Sequence, residues 1–313
     1  MIHISSEQEQ VVEDMNEQAF HTPVMSREVI EHLNLKLGSV VVDATLGMAG
    51  HASAIVQQIG PEGQLIGIDR DKNSLAIAAR NLAPFSSQTQ LIQDDYRNLA
   101  RILNQLKIEQ VDGMLFDLGI SSYQLDNPDR GFSIKADGPL DMRMDQDSYI
   151  SAYDLINSLS ERELSTILKN FGQERWHNRI AHYLVEKRSQ SPIESTKDLS
   201  DVVLRAIPYR YQNHKIHPAT RTFQAIRIAV NRELEALEIV LNQAVDFLKV
   251  GGRICVIAFH SLEDRIVKER FKFFSQTRKL KLIVKKPLRP TEEEINVNPR
   301  SRSARLRVAE RIK

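Results

Sequence analysis

Between residues 40 and 120 the chain alternates short apolar runs with stretches of helical periodicity. Val40-Val41-Val42 reads as a strand buried on both faces, the pattern of a parallel sheet. It breaks at Gly47 and Gly50, and Ala52, Ile55, Val56 and Ile59 then mark a helix. Gln64-Leu65-Ile66-Gly67-Ile68-Asp69 is a second strand ending in an acid, and a helix follows over 73–82. Gln90-Leu91-Ile92 is a third strand, closed by Asp94-Asp95-Tyr96; Leu99, Leu103 and Leu106 mark the next helix. Val111 to Asp117 is a fourth strand that runs into Leu118-Gly119-Ile120-Ser121-Ser122. Such alternation predicts an open, doubly wound α/β sheet with ligands at the carboxyl ends of its strands.

The flanks behave differently. Residues 1–20 are polar and acidic with no apolar period, which predicts a loose extension. Thr22-Pro23 reads as a helix N-cap followed by proline at the first helical position, ahead of a Met25, Val29, Leu33 stripe. From about Gln124 to about Tyr211 no strand pattern is present; 127–147 reads as an ordered loop. Helical stripes follow, among them a capping box at Ser160-Glu161-Arg162-Glu163. One long helix is expected from Phe223 to Leu248, stopping at Gly251-Gly252. Arg253 to Phe259 is a fifth strand ending at His260-Ser261, with a helix from Leu262 to Phe274. Residues 281–284 and 304–308 are two final strands, joined by no helix long enough for a parallel crossover, so they predict an antiparallel pair at the sheet edge. The pattern therefore divides the chain into a nucleotide-binding domain over 21–123 and 230–313 and a helical substrate-recognition insert over 124–229.

Composition narrows the class. At 313 residues the chain exceeds the usual single-domain size, and no apolar stretch approaches the roughly 20 residues of a membrane span. The N-terminus shows no secretory h-region, and the single cysteine, Cys255, lies inside an apolar strand, so a reducing cytoplasm is expected, without disulfides. No clustered ligand set for a metal is visible. The net charge of +1 hides an asymmetry: beyond Asp264, arginine and lysine outnumber acids about three to one. A basic tail of that kind is either a solvated face or a contact for a polyanion.

The residues after the first strand carry candidate chemistry. Gly47 and Gly50 let the backbone approach a ligand, and the following helix N-terminus offers free N–H groups to an anion. Asp69, ending the next strand, is placed to hydrogen-bond ribose hydroxyls. The antiparallel sheet edge favours an S-adenosylmethionine methyltransferase over a nicotinamide-binding domain.

Several longer motifs then carry a family resemblance. They are His21-Thr22-Pro23-Val24, Asp43-Ala44-Thr45-Leu46-Gly47-Met48-Ala49-Gly50-His51 and Asp117-Leu118-Gly119-Ile120-Ser121-Ser122. Arg130-Gly131-Phe132-Ser133, Gly138-Pro139-Leu140-Asp141-Met142-Arg143-Met144, the run from His217 to Ala225 and the run from Phe259 to Arg265 complete the set. In this order, from about residue 21 onward, they resemble the MraW/RsmH family of 16S ribosomal RNA cytosine-N4 methyltransferases. The resemblance implies a class I, Rossmann-like methyltransferase fold with an antiparallel last strand and a helical insert. It implies S-adenosylmethionine as cofactor and 16S ribosomal RNA in the small ribosomal subunit as partner. The family's cofactor contacts fall on Ala49, Gly50, His51, Asp69, Tyr96, Asp117 and Gln124. Ala49 departs from the pattern, which usually has glycine there.

The target amine is a weak nucleophile because its lone pair is delocalised into the cytosine ring, so the site must orient it and accept an N–H hydrogen bond. Asp117, or a carbonyl of Leu118 or Gly119, is the candidate acceptor; the alternative is that Asp117 serves the cofactor alone. His260 and Ser261 are expected to line the cytosine pocket. Ring-carbon methylation needs a cysteine nucleophile, and Cys255 sits mid-strand. Arg143, His217, Arg221, Arg300 and Arg302 are the candidates for RNA phosphate or base contacts. A DNA or small-molecule methyltransferase on the same fold, and a non-catalytic ribosome-assembly factor, remain as alternatives.

Overall fold

The computed structural model describes residues 23–212 and 216–313. The predicted N-terminal extension, 1–20, lies outside the described residues, as do His21 and Thr22. The strands are β1 (Val40–Asp43), β2 (Gln64–Asp69), β3 (Thr89–Gln93), β4 (Val111–Asp117), β5 (Leu248–Ala258), β6 (Leu280–Leu282) and β7 (Arg305–Arg311). Among the described residues they form one sheet in the order β3-β2-β1-β4-β5-β7-β6. β3, β2, β1, β4 and β5 pair in parallel, whereas β7 runs antiparallel to both β5 and β6. The sheet is therefore a mixed α/β class I methyltransferase arrangement, and strand order reverses between β1 and β4. A crevice at the carboxyl ends forms where connections leave in opposite directions.

The valine run is explained by burial on both faces. Val42 packs into one apolar layer with Ile66, Met114 and Val256, while Val41 faces the other with Leu65, Leu115 and Cys255. Around the sheet lie α1 (Ser26–Leu33), α2 (Gly50–Ile59), α3 (Lys72–Asn81) and α4 (Leu99–Gln105). After β4 come the short α5 (Ser122–Asp126) and then α6 (Ala152–Ser158), α7 (Glu161–Gly172), α8 (His177–Gln190) and α9 (Thr196–Ala206). A third apolar cluster, from Phe132 to Ile226, packs these helices against α10 (Thr220–Asn231). α11 (Glu233–Phe247), α12 (Ser261–Gln276) and α13 (Glu292–Val297) complete the described helices. None of them is long and apolar enough to cross a membrane.

Two expected elements differ. The first helix starts at Ser26, not Pro23, because Met25 turns left-handed (φ 54°) and its amide donates to Glu294 Oε1 at 2.7 Å. The long helix from 223 to 248 is two helices, α10 and α11, broken at Arg232 (φ 51°). The left-handed conformation costs a non-glycine residue about 1 kcal/mol or more. Its compensation is specific: the buried Asn231 side chain accepts from Met144 N (2.8 Å) and donates to Met142 O (2.7 Å). Arg227 spans the break to Glu233, at 2.8 and 2.9 Å. Leu248 to Gly252, expected to close that helix, already belong to β5, whose register against β4 shifts between Val111 and Gly113.

Candidate active site

The cleft lies where the β1 turn meets the tip of β4. Thr45 ties the two together: its Oγ1 accepts from Asp117 N at 2.6 Å, while Ala44 N donates to Leu115 O. Gly47 takes a left-handed conformation (φ 54°) and donates its amide to Asp69 Oδ2 at 2.7 Å. That bond fixes the turn over the end of β2. α2 then opens without any side-chain cap, and its first two residues, Gly50 and His51, line the cleft.

Gly50, His51, Asp69, Tyr96, Asp117 and Gln124 all line this cleft, whose empty volume is about 1240 Å³ with the open mouth included. Ala49 does not; it sits beneath, fully buried, as the left-handed residue (φ 71°) that starts α2. The methyl group of Ala49 thus points into the core, and the departure from the family glycine costs backbone strain rather than cleft space.

The buried polar groups are only partly satisfied. Both ring nitrogens of His51 and Oδ1 of Asp117 are buried without a hydrogen-bond partner among the described residues. His51 Nε2 stands 3.5 Å from Asp117 Oδ2. Behind them Asp43, wholly buried, has its carboxyl pushed up from 3.8 to about 7. Burial is the main cause, opposed by His51 and reinforced by Asp117 and Asp69. Burial also raises Asp69, against the amides of Asp71 and Gly47 that donate to it. Orphaned polar atoms at a cleft mark where a ligand supplies the missing partners.

One wall is aromatic and basic. Tyr96 meets Phe116 edge-on at 6.1 Å, and the Arg70 guanidinium lies 5.6 Å from the Tyr96 ring centroid. Arg70 also pairs with Asp95 at 3.0 Å, and Asp94 lines the cleft beside it.

Gln124 has a structural duty as well. Its Oε1 accepts from Ser121 N at 3.1 Å in the α5 capping box, and its Nε2 donates to Asp71 Oδ2 at 2.8 Å. The same Asp71 oxygen receives Arg130 Nη1 at 2.6 Å, and Arg130 Nη2 donates to the carbonyls of Arg143 and Met144. Asp71 and Arg130 are each 2 % exposed. This buried pair locks the loop after α5 to the β2–α3 junction, and sequence reading missed it. The only signal was that Asp71 follows Asp69 closely and that Arg130 opens the Arg130-Gly131-Phe132-Ser133 motif.

His260 and Ser261, expected to line the cytosine pocket, are not among the residues that line this cleft. Phe259 and Glu263 line the cleft instead. His260 turns back to cap α12: its Nδ1 accepts from Glu263 N at 3.3 Å, and its Nε2 lies 3.2 Å from Glu263 Oε1. Ser261 Oγ donates across to Gln173 Oε1 at 2.9 Å. Burial alone would raise the Glu263 carboxyl, but His260, Arg227 and the Phe259 amide hold it below its ordinary value.

The candidate RNA-contacting cations are scattered. Arg300 lines the cleft mouth and pairs with Asp126, Nη1 to Oδ2 at 3.1 Å. Arg143 is engaged away from the cleft, bidentate to Asp141 at 2.8 Å and donating to Ser148 O at 2.7 Å. His217 is exposed, with Nδ1 accepting from Ala219 N, and Arg221 is exposed and reaches Gln173 O at 3.3 Å. Arg302 is exposed. No group of three or more His, Cys, Asp or Glu among the described residues is arranged to hold a metal ion.

Comparison with known proteins matches this geometry to a family. The model of the MraW methylase family matches residues 18–312. A protein named ribosomal RNA small subunit methyltransferase H from Geotalea uraniireducens is 49% identical over 307 residues, covering 93% of this chain and 98% of that protein. The protein of the same name from Thermotoga neapolitana is 51% identical over 296 residues, covering 94% and 96%. Identity near one half, sustained over almost the whole of both chains, leaves no long segment unmatched. The chain belongs to the MraW methylase family.

Proposed function

We propose that the chain methylates the exocyclic N4 amine of a decoding-centre cytosine in 16S ribosomal RNA of the small ribosomal subunit, in the cytoplasm, with S-adenosylmethionine as donor. The residues present fit that cofactor. The uncapped start of α2 at Gly50 and His51 suits its carboxylate, Asp69 its ribose hydroxyls, and the Tyr96 face its adenine. Gln124 contributes through the wall it builds with Asp71. The cofactor supplies a methyl group already activated on a sulfonium.

The protein must do the rest. The amine of cytosine needs an acceptor for one N–H as positive charge develops on nitrogen. The buried, unpartnered Oδ1 of Asp117 at the tip of β4 is the observation that carries this reading. Thr45 fixes the Asp117 backbone, and His51 stands beside the carboxylate, so the oxygen is held in one place before substrate arrives. The carbonyls of Leu118 and Gly119, on the same cleft wall, are the other acceptors within the tip. Arg300 at the mouth is the cation placed to meet RNA beside the target.

Transfer of tritium from labelled cofactor to 30S particles, naked 16S RNA and duplex DNA tests the assignment; label in the DNA alone would refute it. Asp117→Asn keeps shape but removes the charge. We expect turnover to fall on the order of 100-fold, the usual loss for one preorganised electrostatic partner. Full turnover in that variant would move the acceptor role to a backbone carbonyl.

A further inference from the structure

Two benzenoid rings line the cleft, Tyr96 just beyond β3 and Phe259 just beyond β5. They belong to opposite faces of the sheet. Tyr96 packs on the apolar layer that holds Phe116 and Leu118, its ring edge-on to Phe116 and the Arg70 guanidinium 5.6 Å from its centroid. Phe259 packs on the layer that holds Leu115, Cys255 and Ile257. Side chains alternate along a strand, so Asp117, two residues after Leu115, shares the face of Phe259 and not that of Tyr96. Sheet order agrees: β4 lies next to β5, about 4.8 Å away, and three strands from β3, about 14 Å.

The Phe259 ring is half-buried, and among the described residues no other ring and no cation is stacked on it. Its neighbour across the strand pair explains the open side. Asp117 pairs with Ile257, and Leu118 N donates to Ile257 O at 3.0 Å, which brings Gly119 opposite Phe259. A Cβ at Gly119 would lie 3.8 Å from Phe259 Cδ2, so a side chain there would rest against the ring; glycine leaves that side bare. The backbone beneath the ring is fixed, because Phe259 N donates to Oε2 of the buried Glu263 at 2.9 Å. The turn that carries Arg300 leads into β7, whose first residue, Arg305, pairs with Ala258. Ring and mouth cation therefore share one end of the cleft.

A base taken out of its helix loses its stacking neighbours, and enzymes replace them with aromatic or apolar side chains. With Tyr96 facing adenine, Phe259 is the ring left for the second base. We propose that Phe259 stacks on the target cytosine and holds its plane, so that the N4 amine meets Asp117 Oδ1 and the donor methyl group. Glu263 acts through Phe259 as the positioning residue that fixes its amide. The inference rests on the methyl-transfer reading and deepens it by naming the group that grips the base.

The full chain is compared with Phe259→Leu, which keeps apolar bulk without a ring, and Phe259→Tyr, which keeps the ring. Each is assayed on 30S particles with labelled S-adenosylmethionine, titrated with S-adenosylhomocysteine by calorimetry, and melted. Loss of one base–ring stack should lower kcat of Phe259→Leu about ten- to 100-fold. KM for the particle should stay within about two-fold, because the ring grips the extruded base alone, after the particle has bound. Cofactor affinity and melting midpoint should match the parent, and Phe259→Tyr should recover most of the turnover.

Parent-like turnover in Phe259→Leu overturns the proposal. So does an equal loss in Phe259→Leu and Phe259→Tyr, which would mark packing rather than stacking, or a raised KM with kcat unchanged, which would mark a contact to the particle surface. Weaker cofactor binding by Phe259→Leu would place the ring at the cofactor and also overturn it. Should Phe259→Leu melt early, Phe259→Met takes its place under the same criteria. A parent that labels no RNA refutes the proposed function, whereas a parent that labels 30S particles beside an equally active Phe259→Leu refutes the stack alone.

Discussion

Removing the Arg130 guanidinium should be among the most damaging single changes away from the cleft surface. Arg130 and Asp71 are both almost wholly buried, joined at 2.6 Å. Arg130→Met keeps most of the side-chain volume but strands the Asp71 carboxylate and the carbonyls of Arg143 and Met144. Breaking one side of a buried pair costs about 3–5 kcal/mol, because the remaining charge has lost its compensation. Asp71 keeps its bonds from Gln124 Nε2 and Asn73 N, which argues for the lower end, about 3 kcal/mol. For 313 residues at about 2.1 cal/mol/K each, the unfolding entropy is about 0.66 kcal/mol/K, so the melting midpoint should drop about 5 °C. Differential scanning calorimetry of Arg130→Met, Asp71→Asn and the double variant closes the cycle. The double variant should be at least about 1 kcal/mol more stable than the sum of the singles, since removing both charges leaves no stranded ion. A midpoint shift under about 1 °C for Arg130→Met, or strict additivity, would refute the reasoning. Asp71 N also donates to Asp69 Oδ1 at 2.9 Å, so the same variant should weaken cofactor binding without touching a cleft-lining side chain.

Two further outcomes follow from the geometry. Asp43 titrates near 7 in the folded chain against 3.8 for an unperturbed carboxyl, so the folded state keeps a proton that the unfolded state has released. Stability must therefore fall as pH rises through that window and level off above it. Asp43→Asn should remove this slope; thermal midpoints of parent and variant that move in parallel between pH 5 and 8 would count against it. Gly138 leaves no room for a side chain, as a Cβ there would meet Pro128 O at 2.0 Å, and its own N–H and C=O are held by Thr196. Gly138→Ala should cost about 1–3 kcal/mol and expose the loop around 128–140 to faster amide exchange; unchanged protection would show that the loop can yield.

The sheet was legible in the sequence because parallel strands buried on both faces appear as unbroken apolar runs such as Val40-Val41-Val42, a signal that depends on no partner. The glycine turn and Asp69 were legible for the same local reason: a strand end, a tight turn and a helix start each leave a mark within a few residues. Even the antiparallel closing strand followed from a connection too short for a crossover. The break at Arg232 was not legible, since the apolar period of α10 continues into α11 without interruption. What ends the helix is Asn231 reaching backbone groups at Met142 and Met144, distant in the chain. The Arg130–Asp71 pair was not legible, because burying a charge is affordable only with a partner that a linear sequence does not display. His260 and Ser261 stood at the right strand end, yet their side chains went to a helix cap and to Gln173, choices between rotamers that packing alone decides. Sequence thus determined which segments form the sheet and where its ligand edge lies, since those depend on local patterning. The tertiary structure decided which polar atoms at that edge are spent on one another and which remain free for a ligand, since that is settled by distances between residues far apart in the chain.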